Sequence, residues 1–473
     1  MGKKLLGILG VILLFFSLEL QAELSRKYDP VVVEGKYLPQ VLGSAPSQLR
    51  LLAWKNGSFS VIPYQIDERY EEMFYWQWTR RRRELVYALN LGEKAKPDFN
   101  PSFDADDELA FMSWDLGEKA PSGALPDGAE VCQEIEVQDP EIGQSGYAYL
   151  CRFSHPPAKS TKQYVFIGGD NDLFIGQSYK IGYKTHQLFF DQLHLGRPGD
   201  FGPDLVDRFK VNYDCYGVYG AIVYSLNNND INGFLRGMKL GPVRIIKEVV
   251  SVTESWPHVQ NRLLHHIYYY PYHLEWEMQT RAPINWGELN DFTYSLSLDL
   301  NPKTTEYSHF LSEKNPVPVV VDGVLDEEEL KLDYGPQRWE ALSTKHGTIY
   351  THLALPFKAK GLYPDLYYVD MEQKKDEPED YFGMFGKFGF TVRHLQKTGR
   401  RPVIFRLLYF FSPAPYQRGS EDEFIKIYTE PLKVRSDSHL KTAVAKSLPI
   451  SLSLIHISEP TRPLYISYAV FCL

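Results

Sequence analysis

Residues 129–137 read AEVCQEIEV and residues 146–153 read GYAYLCRF, and this pair of stretches decides the fold. Both stretches are predicted to form strands: residues 129–137 largely alternate apolar and polar side chains, and residues 146–153 are rich in Tyr, Leu and Phe. The turn formers DPEIG at 139–143 lie between them, so the pair is predicted to form an antiparallel hairpin. Folding about its midpoint puts Cys132 opposite Cys151, near enough for a disulfide if the pair is a narrow one. Two buried free thiols are the alternative.

Short strands separated by turn residues recur along the whole chain, and helical periodicity is weak. Aromatic residues make up 14% of the sequence, which favours sheets. The sequence therefore predicts an all-β, mainly antiparallel protein with two sandwich-like domains and few short helices. We expect an N-terminal β-sandwich over 23–160 and a larger supersandwich-like domain over 161–451, with a possible further boundary near 312–318.

The two ends of the chain differ from the rest. Residues 1–22 combine Lys3 and Lys4, an apolar run and Ala22, the layout of a secretory signal peptide. Residues 452–473 resemble translated sequencing adapter, which predicts an artefact and a truncated C terminus. We therefore expect an exported protein, in the periplasm or in the extracellular or outer envelope of a bacterium.

Charge and motifs exclude several classes of protein. The net charge is −9 and no domain is basic, which argues against a nucleic-acid partner. After the signal peptide no apolar run approaches the roughly 20 residues that span a membrane. The RRRR run at 80–83 is expected to be a salt-bridged strand edge, with an anionic ligand as the alternative. The GxSxG motif of α/β-hydrolases and the HExxH zinc motif are both absent from the sequence.

The densest acidic cluster is DADDE at 104–108. Asp104, Asp106 and Glu108 alternate along it, and carboxylates in a turn can converge on Ca²⁺. The alternative is that the acids cap the turn by accepting backbone N–H groups. Calcium is the one cofactor that the sequence suggests, and otherwise we expect none.

A central region rich in Tyr, His and Arg is a candidate groove. Aromatic rings can stack on sugars, and Tyr or His can act as acid or base. The alternative is that these rings are core residues and the charges form ion pairs. The candidate binding residues are Asp67, Arg208, Arg244, His265, His266, Tyr268, Tyr270 and His273.

Two resemblances extend this interpretation. PYQIDER at 63–69, DADDELAFM at 104–112 and the hairpin are similar to a poorly characterised family of secreted bacterial β-rich proteins. No activity carries over from that family. GPVR at 241–244, within a long aromatic β region, resembles the supersandwich of galactose-mutarotase-like proteins and polysaccharide lyases, without a catalytic set that can be placed here.

These observations leave two functions open. The first is a non-enzymatic envelope or periplasmic protein that binds a ligand or partner, either a carbohydrate or an envelope protein. The second is a carbohydrate-active lyase or hydrolase that uses the aromatic groove. A deep cleft with converging side chains would favour the enzyme, and neutralised or dispersed charges would favour the binding protein.

Overall fold

The computed structural model describes residues 24–76, 81–97, 99–170, 172–216, 223–255, 259–280, 291–355, 361–375, 383–398, 403–436 and 442–444. The predicted signal peptide at 1–22 and the adapter-like segment at 452–473 lie outside the described residues. No helix in the described part is long and apolar enough to cross a membrane.

Strands dominate the structure. The first group comprises β1 (Pro30–Glu34), β2 (Leu49–Lys55), β3 (Ser58–Val61), β4 (Tyr64–Asp67), β5 (Arg69–Tyr75), β6 (Arg81–Tyr87), β7 (Glu108–Met112), β8 (Ala129–Gln138) and β9 (Ser145–Phe153). The middle group comprises β10 (Phe166–Gly168), β11 (Leu173–Ile175), β12 (Tyr179–Gly182), β13 (Gln192–Arg197), β14 (Asp200–Phe201), β15 (Val206–Tyr216), β16 (Val223–Leu226), β17 (Ile231–Leu240), β18 (Ile245–Ser255), β19 (Val259–Tyr269), β20 (His273–Thr280) and β21 (Asp291–Leu300). The last group comprises β22 (Ser308–Ser312), β23 (Val319–Val321), β24 (Glu340–Thr344), β25 (Gly347–Ala354), β26 (Pro364–Met371), β27 (Met384–Val392), β28 (Val403–Ser412), β29 (Lys433–Ser436) and β30 (Thr442–Val444).

The first sandwich packs a three-stranded sheet, ordered β1-β7-β4, on a six-stranded sheet, ordered β3-β2-β9-β8-β29-β30. Alternate side chains of both sheets point into one apolar core, as the period of a strand requires. The predicted hairpin is β8 with β9. Cys132 pairs with Cys151 in its register and is joined to it by a disulfide with a Cα–Cα distance of 4.0 Å.

The second sandwich is larger. A nine-stranded sheet, ordered β17-β18-β19-β20-β28-β25-β24-β22-β23, shares its core with a five-stranded sheet, ordered β16-β15-β21-β27-β26. A smaller sheet runs from β10 to β14, and β5 pairs with β6 as a separate hairpin. The strand pairs of the described residues are all antiparallel, so the predicted all-β, mainly antiparallel class with two sandwich-like units is confirmed.

Within the described residues the α-helices are few and short, as expected: α1 (Pro302–Thr305) and α2 (Asp422–Thr429). Acidic Asp422 and Glu423 occupy the first turn of α2, where the helix dipole favours negative charge. Phe424, Ile427 and Tyr428 form its apolar face, which packs on the outer face of the nine-stranded sheet.

The chain returns to its beginning after α2. β29 pairs with β8, so residues 433–436 belong to the first sandwich although they follow the second in sequence. Leu432 and Val434 are fully buried in the first core. The predicted boundaries at 160 and near 312–318 remain predictions, and β29 is an addition to the first unit that the sequence did not indicate.

Candidate functional site

The two acidic motifs of the first domain lie on neighbouring strands. β4 pairs with β7 so that Asp67 is directly opposite Glu108. Tyr64 and Ile66 of β4 face the first core, whereas Gln65 and Asp67 face away from it, as alternation predicts. Both carboxylates are fully buried, because their side of the sheet is covered by the second sandwich.

Arg244 reaches these carboxylates from the second sandwich. Its Nη2 donates to Asp67 Oδ2 at 2.7 Å and to Glu108 Oε2 at 2.5 Å, and its Nε donates to Asp67 Oδ2 at 2.9 Å. Burial by itself would lower the pKa of Arg244, but the carboxylates and the tyrosines around it raise that pKa well above its ordinary value. The guanidinium is therefore a permanent charge shared between two acids.

The turn before β18 fixes the position of Arg244. Gln65 Oε1 accepts the backbone N–H groups of Val243 and Arg244 at 3.0 and 2.9 Å, while its Nε2 donates to Asp67. A Cβ at Gly241 would lie 2.1 Å from Gln65 Oε1, so a larger residue there would displace the amide that holds the turn. The GPVR sequence thus presents an arginine to the PYQID strand.

A second arginine extends the network on the side of the first domain. Arg69 Nη1 donates to Glu108 Oε1 at 2.7 Å, and Arg69 Nη2 donates to Glu34 at 3.3 Å. The backbone N–H of Arg69 donates to Asp107. Glu108 is therefore held by arginines on both sides and buried completely.

Three tyrosines close around Arg244: Tyr87 at the end of β6, Tyr268 in β19, and Tyr270 in the turn between β19 and β20. Tyr270 accepts a hydrogen bond from Arg244 Nη1 at 2.9 Å, and Tyr87 donates to Glu108 Oε2 at 3.0 Å. The hydroxyl of Tyr268 lies 3.3 Å from that of Tyr87. Burial raises the pKa of each of these phenols, so all three stay protonated at neutral pH.

These side chains line a small cavity of about 20 Å³. Each lining residue is 8% exposed or less. The lining consists of Tyr87, Glu108, Arg244, Tyr268, Tyr270 and Glu275. Ligand pockets usually measure about 300–1,000 Å³, whereas a cavity of this size has room for about one water molecule and not for a sugar ring.

The three predicted histidines occupy different environments. His266 lies beside the cluster and contacts Glu248 at 3.1 Å, and its ring packs edge-on against Tyr87. His273 is stacked on Tyr270 with centroids 4.6 Å apart, and neither of its ring nitrogens has a hydrogen-bond partner among the described residues. Burial lowers the pKa of His273 to about 3, so the ring is neutral.

His265 and Arg208 are separated from the cluster. Strand alternation turns His265 to the opposite face of the nine-stranded sheet, where it contacts Ser251 at 2.8 Å and its pKa is lowered to about 3 by burial. Arg208 lies in β15 of another sheet, beside Asp207. The structure therefore brings together Asp67, Arg244, Tyr268 and Tyr270, with His266 and His273 adjacent.

The acidic turn does not assemble into a metal centre. Asp104 accepts N–H groups from Asn100 and Asp106, and Asp107 accepts the N–H of Asp104, so these carboxylates cap the turn. Burial raises the pKa of Asp106 to about 6. Glu108 points instead at the arginines. In the described residues no three His, Cys, Asp or Glu side chains are placed to hold a metal ion.

Sequence reasoning missed Tyr87 and Glu275 as members of the cluster. Glu275 pairs with Tyr268 in the strand register and contacts Arg406 at 3.4 Å. Glu275 and Glu277 alternate in β20 and pair with Arg406 of β28, so a row of charges crosses the sheet. One sequence feature could have indicated this row of charges: Glu275 and Glu277 occupy every second position of an otherwise apolar strand.

Comparisons with known proteins leave the family open. The sequence matches no family model and no curated protein. Among solved structures, the α-N-acetylgalactosaminidase NagBb from Bifidobacterium bifidum, in a GalNAc complex, is 12% identical with a TM-score of 0.28. The similarity covers 50% of this chain and 35% of that chain. At this TM-score it carries no inference about fold or function.

Proposed function

We propose that this chain is an exported, non-catalytic binding protein of a bacterial envelope, and that the Arg244 network joins its two sandwiches. One observation carries the proposal: the charges of Asp67, Glu108 and Arg244 are at most 2% exposed and are already paired with one another. The leader-like segment at 1–22 and the disulfide between Cys132 and Cys151 support export.

Pairing and burial argue against catalysis at this cluster. A general acid or base must come within about 2.6–3.2 Å of the proton that it transfers. The carboxylates of Asp67 and Glu108 already form hydrogen bonds of about this length with Arg244, and both side chains are buried away from solvent. A buried ion-pair network of this kind can hold the two sheets in one relative orientation.

The test measures turnover of polysaccharides by the purified protein. A panel of neutral, acidic and amino-sugar polysaccharides is assayed for new reducing ends and for unsaturated products. We expect no turnover of any polysaccharide. Glu108→Gln should lower the melting temperature without changing any activity, and turnover that Glu108→Gln abolishes would overturn the proposal.

A carbohydrate-active enzyme is the second candidate, because two carboxylates and three tyrosines line one cavity. In that case Glu275 and Glu108 would be the acid and base. Glu275→Gln is nearly isosteric, so it would remove activity from an enzyme while the protein stays folded. An unchanged panel result in Glu275→Gln, together with an unchanged fold, would count against this candidate.

A further inference from the structure

The segment that follows β23 contains a buried acid. Residues 322–334 include one 3₁₀ turn, at Glu329–Lys331. The Glu329 side chain in this turn is fully buried, although its neighbours Glu327 and Glu328 are exposed. We call residues 322–334 the latch.

Glu329 makes one hydrogen bond within the latch and one to the sheet beneath it. Asp326 donates its N–H to Glu329 Oε2 at 3.0 Å, and Asp326 Oδ1 accepts the N–H of Glu329 at 2.9 Å, which together cap the turn. Tyr368 of β26 donates to Glu329 Oε1 at 2.6 Å. The carboxyl group of Glu329 therefore connects the latch to the second sandwich.

A second acid of β26 binds the beginning of the latch. Asp370 Oδ2 accepts the N–H groups of Asp322 and Gly323 at 2.8 and 2.9 Å. Burial raises the pKa of Asp370, and these hydrogen bonds oppose the shift. Both ends of the attachment thus depend on buried carboxyl groups.

Among the described residues, the groups that face Glu329 carry no positive charge. They are the phenols of Tyr334 and Tyr368 and the carboxyl groups of Asp326 and Asp370. Lys331, the cation nearest in sequence, is exposed and pairs with Glu327 at 3.8 Å. An ionised Glu329 would therefore be buried without a cation beside it.

Burial determines the protonation of Glu329. It raises the pKa of Glu329 from 4.5 to about 7, while the hydrogen bond from Tyr368 lowers that pKa and the charge of Asp370 raises it further. Burial also raises the pKa of Tyr368, so the phenol stays protonated and Glu329 is the partner that titrates. The attached latch binds this proton more tightly than a released latch does.

We infer that protonation of Glu329 controls the attachment of the latch to the second sandwich: the latch is closed while Glu329 carries a proton and loosens when Glu329 ionises. By linkage, attachment is strongest below pH 4.5, weakens as the pH rises from 4.5 to about 7, and stays weak above that range. Asp370 acts in the same direction. This device goes beyond the proposed binding function and does not depend on it.

Hydrogen–deuterium exchange of the full chain tests the inference. Peptides that cover residues 322–334 are followed by mass spectrometry from about pH 5 to about pH 8, with the rates corrected for the intrinsic pH dependence of exchange. Protection of the latch amides should fall by roughly tenfold to a hundredfold, the size that a pKa raised from 4.5 to about 7 allows. Peptides of the β8–β9 hairpin are the internal reference and should keep their protection.

Variants assign the effect to Glu329. Glu329→Gln removes the titrating group at nearly constant shape, so its latch should lose most of the pH dependence. Glu328→Gln, at an exposed neighbour, is the matched control and should behave as the wild type. Tyr368→Phe removes a hydrogen bond that favours the ionised form, so the decline in protection should continue to a higher pH than in the wild type.

Several outcomes would overturn the inference. They are latch protection that is independent of pH or rises with pH in the wild type, an equal decline in Glu329→Gln, and loss of the decline in Glu328→Gln. If Glu329→Gln leaves the latch unprotected at every pH, Tyr368→Phe decides: a decline that ends at the same or a lower pH than in the wild type would contradict the role of Glu329. These exchange measurements are independent of the polysaccharide assays, so either proposal can fail without the other.

Discussion

At the scale of single residues, Arg244 is the most consequential side chain. It is 2% exposed and neutralises two buried carboxylates that belong to the other sandwich. A buried ion pair adds little stability compared with a well-packed apolar pair, but removing one partner leaves an uncompensated charge. The network is therefore sensitive to any change in Arg244.

Arg244→Met should lower the free energy of unfolding by about 3–5 kcal/mol, because Asp67 and Glu108 lose their shared cation. Urea denaturation measures the change. Arg83→Met is the matched control, since Arg83 pairs with Glu71 at 2.9 Å on the surface and should contribute about 1 kcal/mol or less. Equal losses in the two variants would contradict the structural role of Arg244.

Lys247 is a buried amine with no acid in contact among the described residues. Its Nζ lies 3.3 Å from the centroid of the Tyr183 ring and has no hydrogen-bond partner among the described residues. Burial lowers the pKa of Lys247 well below its ordinary value of 10.5. The folded protein thus binds fewer protons at this site than the unfolded chain, and stability falls as the pH falls below 10.5.

Lys247→Met should be more stable than the wild type by about 1–3 kcal/mol at pH 7, and by less at pH 10, where the unfolded lysine begins to lose its proton. Denaturant titrations at both pH values test this. Lys247→Arg cannot shed its charge and should be less stable than the wild type. A gain for Lys247→Met that is independent of pH would refute the explanation.

At the scale of elements, the β8–β9 hairpin was predictable and the α2–β29 segment was not. Alternation, turn residues and two opposed cysteines together define the hairpin locally, and Cys132 indeed joins Cys151. β29 has four residues, and its place beside β8 depends on contacts nearly 300 residues away in sequence, for which a single sequence holds no local pattern. The same limit applies to the cluster: alternation gave the faces of β4, but the partner of Asp67 depends on how two sheets pack.

Reduction of the disulfide should cost about 3 kcal/mol, because the bond closes a loop with a sequence separation of 19 residues and restricts the unfolded chain. Melting curves with and without a reductant measure the loss. The double variant Cys132→Ser/Cys151→Ser should melt at the lower temperature in both conditions. A reductant effect that persists in the double variant would point to another cause.

Leu432→Ala should destabilise the protein by about 2–5 kcal/mol, since Leu432 is fully buried in the first core and truncation leaves a cavity. Leu330→Ala is the control, because that side chain is 64% exposed. Chemical denaturation of both variants is the measurement. An effect of Leu432→Ala no larger than that of Leu330→Ala would argue against the pairing of β29 with β8.

At the scale of the whole molecule, the Arg244 network connects the two sandwiches. The wild type should unfold in a single calorimetric transition, because neither sandwich can unfold alone without breaking the buried ion pairs that Arg244 makes with Asp67 and Glu108. Arg244→Met should separate the transition into two or broaden it. Two transitions in the wild type would mean that the Arg244 network does not couple the sandwiches.

The pairing of β29 with β8 also determines when the first sandwich can be completed during synthesis. A ribosome delivers residues 129–153 long before residues 433–436, so β8 waits with an open edge while the second sandwich is made. Contacts of such large sequence separation slow folding and lengthen the time in which an unpaired edge can aggregate. The edge of β8 is therefore expected to remain open to aggregation until β29 is available to pair with it.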